Sequence, residues 1–136
     1  MGTNYFAARV EPGSYCDCCG RYDISEELHI GKSSAGWCFS LHVIPEKGLN
    51  SLDDWKRFLK RMDIHIKDEY GGIYGKEELL NIITKRKRDD PLDWNQEMLD
   101  KNGAEPGPNN LVRHRLGDHC IAHGEGTWDM IIGEFR

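Results

Sequence analysis

Two cysteines near the N-terminus have the spacing of a metal-binding turn. Cys16 and Cys19 are separated by two residues, which lets one turn direct both thiolates at a single tetrahedral zinc ion. Gly20 follows directly, and a glycine that can adopt positive φ there lets the chain fold back so that backbone N–H groups cap the sulfurs. The spacing predicts a zinc knuckle.

A closed zinc site needs four ligands, so two more side chains must complete it. His29 and His42 are the first choice, because the strand pattern described below places them side by side. Other nitrogen and sulfur ligands remain open as second choices or reserves: His119, Cys120, His123, Cys18 and Cys38. The alternative is that the cysteines are ordinary reduced thiols and the histidines are polar surface groups. Zinc binding in small peptides contributes about 10–16 kcal/mol, so zinc alone could hold an irregular N-terminal loop.

The elements that position the two histidines are predicted from alternation. Apolar residues at 37, 39, 41 and 43 alternate with smaller or polar ones at 38, 40 and 42, which indicates a half-buried strand. A tight turn at 35–36 would pair it with residues 28–32, with Ile30 opposite Leu41 and His29 opposite His42. In that register the apolar side chains, Trp37 among them, share one face. The two histidines lie on the other face with Cβ atoms about 5 Å apart.

The rest of the chain mixes helices and strands. Ser51 is expected to cap a helix with an apolar stripe at 52, 55, 58, 59 and 62. A short strand at 64–70, a helix at 76–87, a short helix at 91–100 and a hairpin of 118–123 with 127–135 follow. Residues 102–110 are predicted to be a mobile surface loop, and the basic run at 85–88 a solvated helix end. We therefore expect one α+β domain over 1–136, with a mainly antiparallel sheet, two or three helices and a zinc-knuckle-like hairpin region at 15–44.

Composition limits the classes of partner and compartment. The 136 residues carry a formal net charge of −5, which argues against a general nucleic-acid binder. Five cysteines, three of them within four residues, do not fit a disulfide framework and favour a reducing compartment. No run of about 18 apolar residues is present to span a membrane. The expectation is a cytoplasmic protein whose partner is another protein.

A dense group of histidines and acids near the C-terminus suggests a second chemistry. His119 and His123 would face the same way in a strand, and with Glu125 or Asp129 they could bind a catalytic metal that activates water. This pattern indicates a small metal-dependent hydrolase or nuclease. A buried histidine in a solvated hairpin explains the same residues without catalysis.

A third possibility is a small anionic ligand. Lys32 and Ser33, together with Arg113 and Arg115, could bind a nucleotide. The local sequence resembles the end of a phosphate-binding loop, but position 26 is Glu26 where that motif needs glycine. A polar β-turn is the simpler explanation.

Several motifs resemble those of a known group of proteins. They are MGTNYF at the start, CxxCGR, HIGKSSAGWCFSLHV, DEYGG and the closing GEF. Together they are similar to small proteins encoded by tailed bacteriophages and prophages. The resemblance implies a phage-encoded protein made in the cytoplasm of an infected bacterium, and Cys16, Cys19, His29 and His42 match its motif positions. It implies no catalytic residue.

The function that these patterns favour is non-enzymatic. A metal-binding motif is visible, and a complete catalytic set is not. We therefore expect a zinc-stabilised accessory domain that binds a host or phage macromolecule, to counter host defence or to redirect host machinery.

Overall fold

The computed structural model describes residues 2–10, 24–61, 63–117, 119–133 and 135. This part of the chain forms a seven-stranded sheet, three α-helices and a separate two-stranded ribbon. The strands are β1 Gly2–Val10, β2 Ile24–Ser34, β3 Phe39–Val43, β4 Ile64–Asp68, β5 Ile73–Tyr74, β6 Ala104–Pro106, β7 Val112–His114, β8 Cys120–His123 and β9 Trp128–Ile132. The helices are α1 Leu52–Leu59, α2 Lys76–Thr84 and α3 Gln96–Lys101. The prediction of an α+β fold with a mainly antiparallel sheet is confirmed, whereas the predicted zinc-knuckle turn lies outside the described residues.

The strand order in the large sheet is β5-β4-β1-β2-β3-β9-β8. All described neighbours are antiparallel except β3 and β9, which run parallel. The closing hairpin of β8 and β9 confirms the prediction for that segment. Its attachment to β3 was not predicted, because a parallel pairing between distant segments has no local turn signal.

The central strand β1 was not predicted either. It pairs with β2 on one side and β4 on the other, and its residues 5–8 are all buried. A strand covered on both faces shows a continuous apolar run instead of alternation. Periodicity alone therefore does not identify it.

Helices α1 and α2 cover one face of the sheet, which we call the helix-covered face. The hydroxyl of Ser51 accepts a hydrogen bond from the N–H of Asp54 at 3.3 Å, so Ser51 caps α1 as predicted. Trp55, Leu79 and Ile83 from these helices pack with Phe39 and Leu41 of β3, and all five are fully buried. No helix in the described residues is long and apolar enough to cross a membrane.

The basic run after α2 agrees only in part with the predicted solvated helix end, since Lys85 and Lys87 are exposed but Arg86 is not. Helix α2 ends at Thr84, and the guanidinium of Arg86 turns inward, donating to the carbonyl oxygens of Trp37 and Ser34 at 2.8 Å each. Burial lowers the pKa of Arg86. Ser34 and Trp37 lie on either side of the turn between β2 and β3. Their hydrogen bonds with Arg86 therefore link the chain after α2 to the sheet.

Residues 102–110 were predicted to be a loop, but they contain a short strand, Ala104–Pro106. Ala104 pairs with His114 and Pro106 with Val112, which forms the ribbon of β6 and β7. The short helix α3 begins at Gln96 and not near 91, because the side chain of Asn95 caps it.

Trp37 lies in a different place from the one predicted. It forms a bridge with Val112 of the ribbon and packs in a second apolar cluster with Leu99, Ala104 and Trp94. Its ring centroid is 5.8 Å from that of Trp94. Strand β3 begins only at Phe39, so Trp37 does not join the apolar face of the hairpin.

Candidate metal centre

His29 and His42 meet on the sheet face opposite α1 and α2. We call it the open face because these two helices do not pack on it, although several of its side chains are buried. Their Nδ1 atoms lie 3.2 Å apart, and their ring centroids 5.2 Å. His29 is buried, with 6% of its surface exposed, and His42 is half-buried. The predicted proximity of the two imidazoles is confirmed.

The strand register that was expected to bring them together is wrong by one residue. Gly31, and not Ile30, pairs with Leu41. The pairing of β2 with β1 explains why the histidines still meet. Tyr5 pairs with Gly31, but the next residue, Phe6, pairs with His29. One extra residue, Ile30, therefore sits in β2 as a β-bulge, and a bulge changes the face toward which the neighbouring side chain points.

Gly31 allows the close approach of β2 to β3 beside this bulge. A Cβ atom at this position would lie 2.1 Å from the carbonyl oxygen of Ser40 and 2.4 Å from the ring of Phe39. Any larger residue would have to push the two strands apart. The glycine therefore helps to hold the two histidines at contact distance.

Asn4 on β1 fixes the tautomer of His29. The Nε2 of His29 lies 2.8 Å from Oδ1 of Asn4, and because that oxygen can only accept, Nε2 carries the proton. Asn4 is held in turn by Glu69, whose Oε1 accepts from the backbone N–H of Asn4 at 3.0 Å and from its side-chain Nδ2 at 3.3 Å. Nδ1 of His29 is left with its lone pair directed toward His42. An outer hydrogen bond of this kind is what orients histidine ligands in metal sites.

His42 is fixed through its backbone. Its carbonyl oxygen accepts a hydrogen bond of 2.8 Å from the indole N–H of Trp55 in the core. Its Nδ1 lies 3.1 Å from the carbonyl oxygen of His29, so without a metal a proton on this nitrogen can be shared between that oxygen and Nδ1 of His29. The ring of Phe135 contacts both imidazoles, with centroid distances of 4.8 and 5.1 Å.

The same separation fits two ligands of one zinc ion. Nitrogens about 2.0–2.1 Å from a tetrahedral zinc are about 3.3–3.4 Å apart, close to the 3.2 Å between the two Nδ1 atoms. The other two predicted ligands, Cys16 and Cys19, lie outside the described residues, as does the reserve Cys18. Within the described ranges no group of three or more His, Cys, Asp or Glu side chains could hold a metal ion. The described residues therefore bring together two of the four predicted ligands.

The remaining reserve ligands are buried thiols. Burial raises the pKa of Cys38 to about 11 and that of Cys120 to about 11. Burial thus disfavours the thiolate of both residues, which is the form that binds metal.

The histidines proposed for a catalytic metal are not brought together. His119 lines a cavity on the open face, whereas His123 and Glu125 line a different one. The register shift between Cys120 and Ala122 in β8 breaks the alternation on which the prediction rested. The Nε2 of His123 donates to the carbonyl oxygen of His114 at 2.7 Å.

Asp129 is committed to a structural ion pair. Its carboxylate is fully buried, with one oxygen 2.8 Å from Nε of Arg113 and the other 3.0 Å from the backbone N–H of His114. These contacts join β9 to the ribbon. They leave Asp129 poorly placed to be a metal ligand.

The residues considered for a nucleotide are also separated. Lys32 pairs with Ser40, and because successive residues of a strand face opposite ways, Ser33 points to the helix-covered face, where its hydroxyl lies 3.3 Å from that of Tyr5. Arg113 binds Asp129, as described above. The guanidinium of Arg115 binds Asp100 and donates to the carbonyl oxygen of Ala104 at 2.8 Å.

Two residues that shape the histidine pair were missed in the sequence. Asn4 and Phe135 lie near opposite ends of the chain, and neither is part of a pattern that points to His29 or His42. Recognition of β1 as a strand would have placed Asn4 and Phe6 on one face.

Comparison of the chain with protein-family models, with curated proteins and with solved structures finds no match.

Proposed function

We propose that this chain is a zinc-stabilised, non-enzymatic accessory domain in which Cys16, Cys19, His29 and His42 bind one zinc ion. The observation that carries the proposal is the 3.2 Å separation of the two Nδ1 atoms, with Asn4 fixing the proton of His29 on the other nitrogen. Two imidazoles oriented in this way need two more ligands to complete a closed site, and the two-residue spacing of Cys16 and Cys19 makes them the candidates.

The chain connectivity makes the two cysteines reachable. They fall in the connection between β1 and β2, whose ends are paired through Val10 and Ile24. His29 pairs with Phe6, four residues along β1 from Val10, a distance of about 13 Å. Cys16 follows Val10 by six residues, and six residues can span about 20 Å. The connection is long enough to fold back over the open face and deliver its thiolates.

A four-ligand site of this type stabilises a fold and does not catalyse a reaction. It has no open position for water or substrate, and zinc binding would add folding free energy by fastening the β1–β2 connection to the sheet. The hydrolase alternative would need His119 and His123 to share a metal, and they line different cavities. The geometry therefore favours the structural role.

The partner in this proposal is a protein of the phage or its host. The sequence resemblance to tailed-phage proteins supports expression in the cytoplasm of an infected bacterium. The resemblance implies no activity, and the proposed role is to counter host defence or to redirect host machinery. The net charge of −5 disfavours nucleic acid as a general partner. Zinc would present the β1–β2 connection as a defined surface for that partner.

Metal analysis of the purified protein tests the zinc ligands. We expect about one zinc per chain in the wild type, and its loss in Cys16→Ala, Cys19→Ala and His42→Ala. The matched control is His119→Ala combined with His123→Ala, which should keep the metal. The proposal would be contradicted if the wild-type protein contains no zinc and its melting temperature does not change when zinc is added. Loss of zinc in the control variant would favour the hydrolase.

A binding experiment tests the partner. Wild-type protein and the Cys19→Ala variant are used as bait in extracts of phage-infected bacteria, and retained proteins are purified and tested for direct binding. The proposal expects a protein that binds the wild type directly and the variant at least about tenfold more weakly. Equal binding to both would show that zinc does not form the partner surface.

A further inference from the structure

The open face contains a second candidate site, next to the histidine pair but not lined by it. A cavity of about 610 Å³ lies between the sheet and the ribbon of β6 and β7. Its walls are mostly apolar, and the residues that matter here are Ser40, His114, Leu116, Ile131, Ile132 and Phe135. Ligand pockets of about 300–1,000 Å³ with mainly apolar walls and a few polar groups are typical of small-molecule sites.

A smaller cavity of about 230 Å³ adjoins the first. The two share Ser40, His114 and Phe135, and the smaller one adds Lys32 and Trp37. The rings of Trp37 and His114 are tilted at 34° with centroids 4.9 Å apart. The combined cavity therefore offers three ring systems to a bound ligand, and flat aromatic groups pack well against such surfaces.

The charge of the lining is opposite to that of the chain. The described residues that line the two cavities include Lys32, His114, Arg115 and His119 but no carboxylate, although the whole chain carries −5. Arg115 is already paired with Asp100. Lys32 is the cation that remains, since the ion pairs formed by lysines in the described residues use other lysines: Lys47, Lys56 and Lys67.

Lys32 is held at the rim by its neighbour on β1. It pairs with Asn4, and its stem crosses Gly2, where an added Cβ atom would lie 2.3 Å from Cε of Lys32. His114 adds a neutral group, because burial lowers its pKa; its Nε2 lies 3.4 Å from the hydroxyl of Ser40. One end of the cavity is thus cationic and the other apolar.

We propose that this cavity binds a planar aromatic anion of about mononucleotide size, with its ring between Phe135 and the apolar wall and its acidic group at Lys32. The site is distinct from the proposed zinc site, because neither His29 nor His42 lines it, although Phe135 lies between the two and contacts both imidazoles. It differs from the nucleotide site suggested by the sequence, since Ser33 and Arg113 take no part.

Two matched fluorescent probes test the proposal with the full-length protein. Anilinonaphthalene sulfonate is an anion with a flat naphthalene ring, and N-phenylnaphthylamine is its uncharged counterpart. We expect one saturable site at which the sulfonate binds about tenfold more tightly than the neutral probe, because it gains a charge-assisted contact. Equal affinities would overturn the assignment of an anion site.

Variants locate the site. Lys32→Met should remove the tenfold preference for the sulfonate and leave the neutral probe unchanged, whereas Lys60→Met, an exposed lysine after α1, should change neither affinity. Ser40→Leu fills the part of the wall that the two cavities share and should weaken the binding of both probes by about tenfold. Its melting temperature shows whether it folds.

If that variant does not fold, amide resonances of wild-type protein titrated with the sulfonate decide the location. Shifts confined to the lining, at residues 32, 40, 114–117, 131–132 and 135, support the site. An unchanged preference in Lys32→Met or shifts elsewhere overturn it.

Discussion

The two faces of the seven-stranded sheet are built from different chemistry. The helix-covered face buries apolar side chains such as Phe39, Trp55 and Leu79, each with no exposed surface. On the open face the buried groups include Asn4, His29 and Asp129, with 7%, 6% and 0% of their surface exposed. Apolar contacts stabilise in proportion to buried area, whereas buried polar groups are tolerated only with their hydrogen-bond partners in place. The comparison suggests that one face supplies stability and the other fixes the geometry of functional groups.

The largest effect is expected on the helix-covered face. Phe39→Ala removes a fully buried ring from the centre of the core and should lower the free energy of unfolding by about 3–5 kcal/mol. Ile121→Ala on β8 is the control, because Ile121 is 48% exposed and should cost less than about 1 kcal/mol. Denaturant titrations measure both free energies of unfolding. Similar losses in the two variants would show that the helix-covered face is not the main source of stability.

A slightly smaller loss is expected when the buried ion pair of the open face is broken. Asp129→Asn leaves Arg113 without its counter-charge, and the side chains of the pair are 0% and 12% exposed. We expect a loss of about 3 kcal/mol in the free energy of unfolding. Asp53→Asn removes an exposed partner of Lys56 and should cost less than about 1 kcal/mol. If the first variant is as stable as the second, Asp129 does not hold the ribbon to the sheet.

The smallest effect concerns a polar contact at the margin of the helix-covered face. Asp68 accepts hydrogen bonds from the hydroxyl of Tyr74 at 2.6 Å and from the backbone N–H of Gly72 at 2.7 Å. The hydrogen bond from Tyr74 is the main cause that lowers the pKa of Asp68, and the same bond raises the pKa of Tyr74 to about 12. Tyr74→Phe should lower the free energy of unfolding by about 1–2 kcal/mol.

This variant also has a pH signature. Because the pKa of Asp68 is lower in the folded state, the carboxylate stabilises the fold above its unfolded value of about 3.9. That contribution is lost as the pH falls through the lower folded value. Tyr74→Phe should therefore be less stable at neutral pH and lose less stability between neutral pH and the acid range. Parallel curves of stability against pH for wild type and variant would show that Tyr74 does not act through Asp68.

Local signals predicted the helix-covered face well. The cap at Ser51 and the stripe that includes Trp55 and Leu59 define α1 from neighbouring residues alone. The strand β1 was missed because burial on both faces removes alternation. The end of α2 was misplaced because the partners of Arg86 are the carbonyl oxygens of Ser34 and Trp37, about fifty residues earlier in the chain.

The candidate site was predictable in its residue types but not in its geometry. Alternation in β3 placed His42 on the open face, and hairpin pairing brought His29 beside it. The bulge at Ile30 and the hydrogen bond from His29 to Asn4 depend on β1, so no pattern within the hairpin could indicate them. Tertiary contacts of this kind decide the register and the tautomer.

The central claim is that the histidine pair of the open face forms half of a zinc site. X-ray absorption at the zinc edge of the purified full chain measures the ligand shell directly. The account predicts two sulfur ligands at about 2.3 Å and two nitrogen ligands at about 2.0 Å, with one nitrogen lost in His42→Ala. A zinc-free protein, a shell without sulfur, or a shell unchanged in His42→Ala would contradict it.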